Sequence, residues 1–390
     1  MKTIARLLLV TWCLTMLSAP LEAWPLAVTR LDGSNITPTQ IDAAVIRSMK
    51  AAHVTGVGIA IFNHGKLAYL KAFGFRDTQK RLPLTPDSVM TAASLTKPIF
   101  ATMVMELVHE RIIDLDRPVH EYLPKPLPEY PRYRDLDGDP RYEQITMRML
   151  LDHSSGFPNW RRFMPGKKLR IYFRPGTRFA YSGEGIALAQ MVVETVTKQP
   201  IAALMNERIF HPLGMTRTSM VWQRRFEENY ADGYDRQGRP LGPERRQIGD
   251  AAGGMQTTLR DYARFVRAVL DGGFPDSNSR ELMLSPQIHI SSKHEFPSLS
   301  TERNAIGDEA IHLSYGLGWG LFRTPYGKAF FKEGHDNGWR HYVVCFDTPK
   351  TAMLIMTNSS NGEDIYDGLL RTLIADTFTP LEWEGFRPAN

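Results

Sequence analysis

With 390 residues, 43% of them hydrophobic and 23% charged, the chain has apolar material for more than one core and too little charge for a disordered polymer. Its formal net charge of +5 is spread along the sequence, which excludes a dedicated nucleic-acid-binding stripe. Two cysteines, one of them Cys13 inside an N-terminal apolar run, exclude a disulfide framework.

Residues 1–23 read as a secretory signal: Lys2 and Arg6 precede the run Leu7 to Leu17, and a cut after Ala23 leaves Trp24 first. The run is too short to cross a bilayer core of about 30 Å. An exported chain, periplasmic or extracellular and without a membrane span, is the expectation, and residues 24–390 exceed what one core usually fills.

A helix is expected over Thr39 to Ala52. Two alternating apolar segments, Val57 to Phe62 and Leu67 to Phe73, flank Asn63-His64-Gly65-Lys66 and predict a β-hairpin. Ser94-Leu-Thr-Lys97 then opens an amphipathic helix whose apolar residues recur at Leu95, Ile99, Met103 and Leu107. Pro98 fits only a first helical turn, so the helix starts close to Ser94, and Ser94 shares a face with Lys97. A hydroxyl beside an amine is a candidate nucleophile with a candidate base, although so short a motif gains weight only from partners elsewhere.

Helical periods continue to about Leu270, broken by loops rich in Pro, Gly and Asp. The basic stretch Arg161, Arg162, Lys167, Lys168, Arg170, Arg174 and Arg178 reads as a solvated face compatible with a polyanionic cell-wall surface. Asp135-Leu-Asp-Gly-Asp139 lacks the glycine placement and the final glutamate of a calcium loop, and the histidines have no ligand spacing, so no metal or other cofactor is expected. Asp152 and His153 are read as loop braces outside the site.

The polar stretch Ser285 to His312 is either a lid over a cleft or a mobile connection. Strand patterns return at Leu317 to Phe322, Lys328 to Lys332, Trp339 to Phe346 and Thr351 to Thr357, before a helix around Ile365 to Phe378. The fold class is therefore α/β of the α+β type. An antiparallel sheet flanked by the N- and C-terminal helices forms one lobe (about 24–90 and 313–390), and a mostly helical lobe (about 91–312) is inserted in it. A cleft between the lobes is the place for a small-molecule site.

In order along the chain, Ser94-Leu-Thr-Lys97, Tyr181-Ser-Gly183 and His335-Asp-Asn-Gly338 resemble the three motifs of the serine β-lactamase-like hydrolases, which include class C β-lactamases, DD-peptidases and esterases. Leu150 to Gly156, Pro175 to Ser182, His211 to Met215, Ala252 to Met255 and Tyr315 to Trp319 support the match. The resemblance implies a β-lactamase/transpeptidase-like fold and an acyl-enzyme on Ser94, with Lys97 and Tyr181 as a coupled acid–base pair. Burial would lower the Lys97 amine, and a nearby ammonium would let the Tyr181 phenol ionise more readily than usual. The oxyanion hole would combine the N–H groups of Ser94 and Gly338.

Two departures stand out. Gly183 replaces the asparagine common at the end of the second motif, removing a side-chain amide that would hold a substrate amide. His335 stands where many members carry lysine, and Asn337 where glycine is commoner, so a substrate carboxylate is held less firmly. These changes favour esters or small amides, including D-amino-acid derivatives, over β-lactams; a β-lactamase, a DD-carboxypeptidase or a silent binder of cell-wall peptides are the alternatives. The substrate is then a small molecule or a peptidoglycan fragment.

Overall fold

A computed structural model of the chain describes residues 27–303 and 310–386; the segment read as a signal lies outside them. Helix α1 spans Pro38–Ala51, started by a capping box in which Thr37 and Gln40 bond reciprocally. Strands β1 (Gly56–Asn63) and β2 (Lys66–Asp77) form the expected hairpin. Helices α2 (Thr96–His109), α3 (Gly183–Thr197) and α4 (Leu259–Asp271) belong to the middle of the chain. Strands β3 (Gly320–Thr324), β4 (Gly327–Asp336), β5 (Trp339–Phe346) and β6 (Thr351–Thr357) follow, then α5 (Tyr366–Ile374).

These strands join one antiparallel sheet in the order β3-β4-β5-β6-β1-β2, extended at its edges by the two-residue strands Ser314–Tyr315 and Ile288–His289 beyond β3 and Leu82–Pro83 beyond β2. Strands from both ends of the sequence thus meet at β6 and β1, where Ile355 faces Ile59. Alternation places Tyr342, Val344 and Phe346 of β5 in a core with α1 and α5, and Val343 and Cys345 in a second core with α2 and α4. β5 is buried on both faces, which its continuous apolar run reflects.

Helix α2 differs from its expected one-sided burial. Eleven of its fourteen residues are buried, because the inserted lobe wraps its outer face while the sheet covers the inner one. Its N-terminal turn, not its flank, is what reaches the cleft.

Candidate active site

A cleft of about 1040 Å³ opens over the start of α2. Ser94 lies in the short 3-10 turn Ala93–Leu95 that leads into the helix, and Ala93 holds a left-handed φ of 48°, a strained conformation for a residue with a side chain. Lys97 Nζ lies 2.8 Å from Ser94 Oγ and donates to the Ala252 carbonyl at 2.6 Å. The carbonyl of Ala252 therefore anchors the amine, and a Cβ on the next residue, Gly253, would make only an ordinary contact with the Ala93 backbone, at 3.5 Å. Lys97 is 1% exposed. Burial, reinforced by the charge of Lys332, pulls its pKa down to about 7.

Tyr181 comes from the loop preceding α3. Its ring centre is 4.9 Å from Lys97 Nζ, so the three groups named from the motifs do share one wall. The phenol behaves contrary to expectation: burial, with the Glu333 carboxylate next in effect, pushes its pKa well above 10. Ser94 is the hydrogen-bonding neighbour that opposes this rise, although no bond of normal length links the two and the Tyr181 hydroxyl is buried unpartnered. Tyr181 is thus a proton donor in the free protein, and Lys97 is the group poised near neutrality.

His153 braces its loop by hydrogen bonds, as expected, and packs against Tyr181 as well. It is fully buried, its ring centre lies 4.4 Å from that of Tyr181, and its Nδ1 accepts the Ser182 N–H at 3.3 Å. Burial keeps it neutral, its pKa well below 6.5. Asp152 caps the same turn by accepting the Ser154 N–H.

The third motif is placed only in part as expected. His335 and Asn337 line the cleft at the end of β4. β3 stops pairing at Phe331, so beyond it β4 is bonded to β5 alone and its other edge runs past the nucleophile turn; a Cβ on Gly334 would meet the Ala92 carbonyl at 2.8 Å. Gly338 does not serve as anticipated. It forms the β4–β5 turn with φ 82°, and its N–H donates to Ser360 Oγ at 2.9 Å. The glycine is required by the turn, and its donor is spent there. The His335 side chain, about half exposed, has Nδ1 3.6 Å from Glu363, while desolvation and Arg340 lower its pKa.

Gly183 begins α3 beneath Trp160, and its N–H donates to Asn159 Oδ1 at 3.1 Å. The loop residues Asp135 and Asp139 are occupied by the Leu169 N–H and by Arg141.

Sequence reasoning missed a second buried amine. Lys332 of β4 has no exposed surface, contacts the Glu333 carboxylate, and sits 4.6 Å from the Tyr181 ring centre. Glu295, Glu333 and Glu384 bring carboxylate oxygens within 4.8 Å of one another. Glu295 and Glu384 are pushed well above the usual carboxylate range by burial, and then by Glu333 and Glu295 respectively, so they hold protons. The group is a lysine–glutamate pair padded by neutral acids, since the ammonium already fills the role of its cation. Glu295 comes from the polar stretch read as lid or connection, and the neighbouring Phe296 reaches the cleft with its ring edge-on to Tyr181, centres 5.5 Å apart.

Several known proteins are similar to this chain. Protein flp of Staphylococcus aureus strain MRSA252 is 25% identical over 279 residues, covering 66% of this chain and 53% of that protein. Esterase EstB of Burkholderia gladioli is 28% identical over 231 residues, covering 52% and 57%. The chain spans about half the length of these curated relatives. In fold it is similar to the octameric penicillin-binding protein homologue from Pyrococcus abyssi, with a TM-score of 0.70, 24% identity, and coverage of 89% of this chain and 79% of that one. It is likewise similar to the D-alanine carboxypeptidase AmpC from Burkholderia cenocepacia, with a TM-score of 0.68, 20% identity, and coverage of 85% and 98%. The Beta-lactamase family model matches residues 41–376, and the chain belongs to that family.

Proposed function

We propose that the protein is an exported serine hydrolase that cleaves esters or small amides through an acyl-enzyme on Ser94. The observation that carries this reading is the 2.8 Å approach of Ser94 Oγ to a buried amine whose pKa is drawn down to about 7, at the floor of an open cleft. At neutral pH a large fraction of Lys97 is unprotonated, donating one N–H to Ala252 and accepting the Ser94 hydroxyl proton. Ser94 Oγ then bonds to the substrate carbonyl carbon. Collapse of the tetrahedral adduct breaks the bond to the leaving oxygen or nitrogen, which takes the Tyr181 proton, and the Lys97 ammonium passes the former Ser94 proton to the resulting phenolate. Water repeats the sequence on the acyl-enzyme and releases the acid.

The developing oxyanion would be met by the Ser94 N–H and by the free edge of β4 between Glu333 and Asn337, in place of the engaged Gly338. Export rests on the signal-like residues 1–23. Esters are favoured over β-lactams because the amide holder of the second motif is missing at Gly183 and because His335 carries less positive charge than a lysine. Among the described residues no helix is long and apolar enough to cross a membrane.

The test is labelling with a fluorophosphonate and turnover of p-nitrophenyl acetate. Wild type should gain one adduct by intact mass, and Ser94→Ala should lose the adduct and at least about 10⁴-fold in rate. Equal labelling of the two would remove Ser94 from the mechanism. Binding of peptidoglycan fragments without adduct or turnover would favour a silent binding protein instead.

A further inference from the structure

Gly183 leaves a gap that the indole of Trp160 fills. A Cβ at position 183 would lie 2.5 Å from Trp160 Cζ2, 2.6 Å from Cη2 and 2.8 Å from Cε2, so any side chain there must displace the ring. The ring is held from both sides. The Asn159 side chain accepts the Gly183 N–H at 3.1 Å and its carbonyl accepts the Glu184 N–H at 3.0 Å. Arg161 grips the buried Glu184 carboxylate through Nε at 3.0 Å and Nη2 at 2.8 Å. The residues flanking Trp160 are thus clamped to the first turn of α3, which fixes the indole as one wall of the cleft.

That wall continues outward. The Arg162 guanidinium lies 4.8 Å from the Trp160 ring centre and 4.7 Å from that of Phe163. Arg132 and Arg161 both pair with Glu184, whereas Arg162 forms no ion pair among the described residues. It is a cation held between two aromatic faces and turned to the cleft. Phe163 and Phe296, 70% and 43% exposed, and Ile248, 82% exposed, all line the same opening. Apolar side chains left in water and gathered around one cleft mark a surface that a ligand covers.

Resting on the reading that Ser94 is the acylated nucleophile, we propose that Trp160, Arg162 and Phe163 form a substrate subsite selecting flat aryl ester groups that carry a carboxylate. The aryl face stacks on the clamped indole, and the carboxylate meets the guanidinium, which pairs with no acid among the described residues. Trp160, Arg162 and Phe163 themselves carry no side-chain amide to pair with a peptide amide.

Two probe series on the full chain test it. One varies the acyl part, as p-nitrophenyl acetate, benzoate and 4-carboxybenzoate; the other varies the alcohol, as methyl, phenyl and 4-carboxyphenyl acetate. The readout is the ratio of kcat/KM values within a series, each divided by the rate of hydroxide cleavage. In at least one series wild type should favour the aryl over the small member by about tenfold, with a further gain of about threefold for the carboxylate. Trp160→Ala should abolish the aryl preference, and Arg162→Gln should abolish only the carboxylate increment. Trp160→Leu, which keeps bulk against Gly183, serves if Trp160→Ala is poorly folded and should lose the preference too.

Ser94-dependent turnover with no aryl preference in either series overturns the subsite, as does a preference that survives both Trp160 variants. Turnover that survives Ser94→Ala would instead sink the hydrolase reading beneath it, so the two failures are distinguishable.

Discussion

Lys97 and Lys332 have lost nearly all contact with water on one side of the cleft, while on the other Phe163 keeps 70% of its surface exposed. The dry side holds Lys97, Tyr181, Glu295 and Glu384, whose protonation is set by burial and by neighbouring charges, around the ion pair of Lys332 and Glu333; they are brought together from the first turn of α2, from β4, from two loops and from the C-terminal segment. The wet side holds rings and an arginine whose charge never changes. The difference separates two tasks. Proton transfer needs a low-dielectric environment in which small displacements alter pKa strongly, whereas selection needs only shape and a little charge at the rim. Changes on the dry side should therefore act on rate by orders of magnitude, and changes on the wet side by small factors.

The largest contrast comes from Tyr181→Phe. Removing a proton-transfer group should cut p-nitrophenyl acetate turnover by about 10²-fold or more. Stability should move the other way or not at all, because the Tyr181 hydroxyl is buried without a partner and its loss removes an unsatisfied polar atom. Parallel thermal melts and steady-state rates check both halves. A full-rate Tyr181→Phe enzyme would take the phenol out of the reaction.

Next in size is the pH profile. The active form of Lys97 is the neutral amine, and its pKa lies below the ordinary value, at about 7, so kcat/KM should rise with pH through about 7 and be lost as pH falls below it. The charged or titratable groups acting on Lys97 are Lys332, Glu333, Asp250 and Glu295, with Tyr181 and His153 beside it. Lys332→Gln removes the cation that helps depress it, so the profile should shift upward, with a larger loss of rate at pH 6 than at pH 9. Because Glu333 would be left buried and unpaired, at a cost of about 3–5 kcal/mol, the double variant Lys332→Gln/Glu333→Gln provides the comparison in a stable fold. The Lys332 effect outranks that of Glu333, so the shift should keep its direction there. An unmoved profile in both variants would mean that Lys332 is merely structural.

What the sequence made legible follows the same division between local and assembled features. β5 and β6 begin and end where their apolar patterns do, and α1 differs from its expected range by one residue at each end, because hairpins and caps are specified by near neighbours. The Ser94–Lys97 pair is equally local, one helical turn. Lys332 announced itself only as a charged pair inside Ala329-Phe-Phe-Lys-Glu-Gly334, an oddity in a buried strand. Its partners Glu295 and Glu384 arrive from a loop and the C-terminal segment, a convergence that no spacing encodes. Trp160 was hidden in the same way, and its one trace was the glycine where a side chain was expected. Gly338 was misread because turn chemistry and close approach to substrate ask for the same residue, and the turn claims its N–H.

The smallest effect should come from the rim. Phe163 and Trp160 both face Arg162, but Trp160 is clamped between Asn159 and Arg161 over Gly183, whereas Phe163 is covered mainly by the guanidinium and by water. An exposed ring ordered by one cation–π contact contributes about 0.5–1 kcal/mol, which limits Phe163→Ala to roughly a twofold to fivefold loss on carboxyaryl esters. Most of that loss should appear in KM, since a rim contact made equally in the bound and transition states does not alter the chemical step. Measured beside Trp160→Ala on the same ester, Phe163→Ala ranks the clamped ring against the loose one. If the loose ring proved the more costly to remove, rigid placement of Trp160 over Gly183 would not be what gives the wall its selectivity.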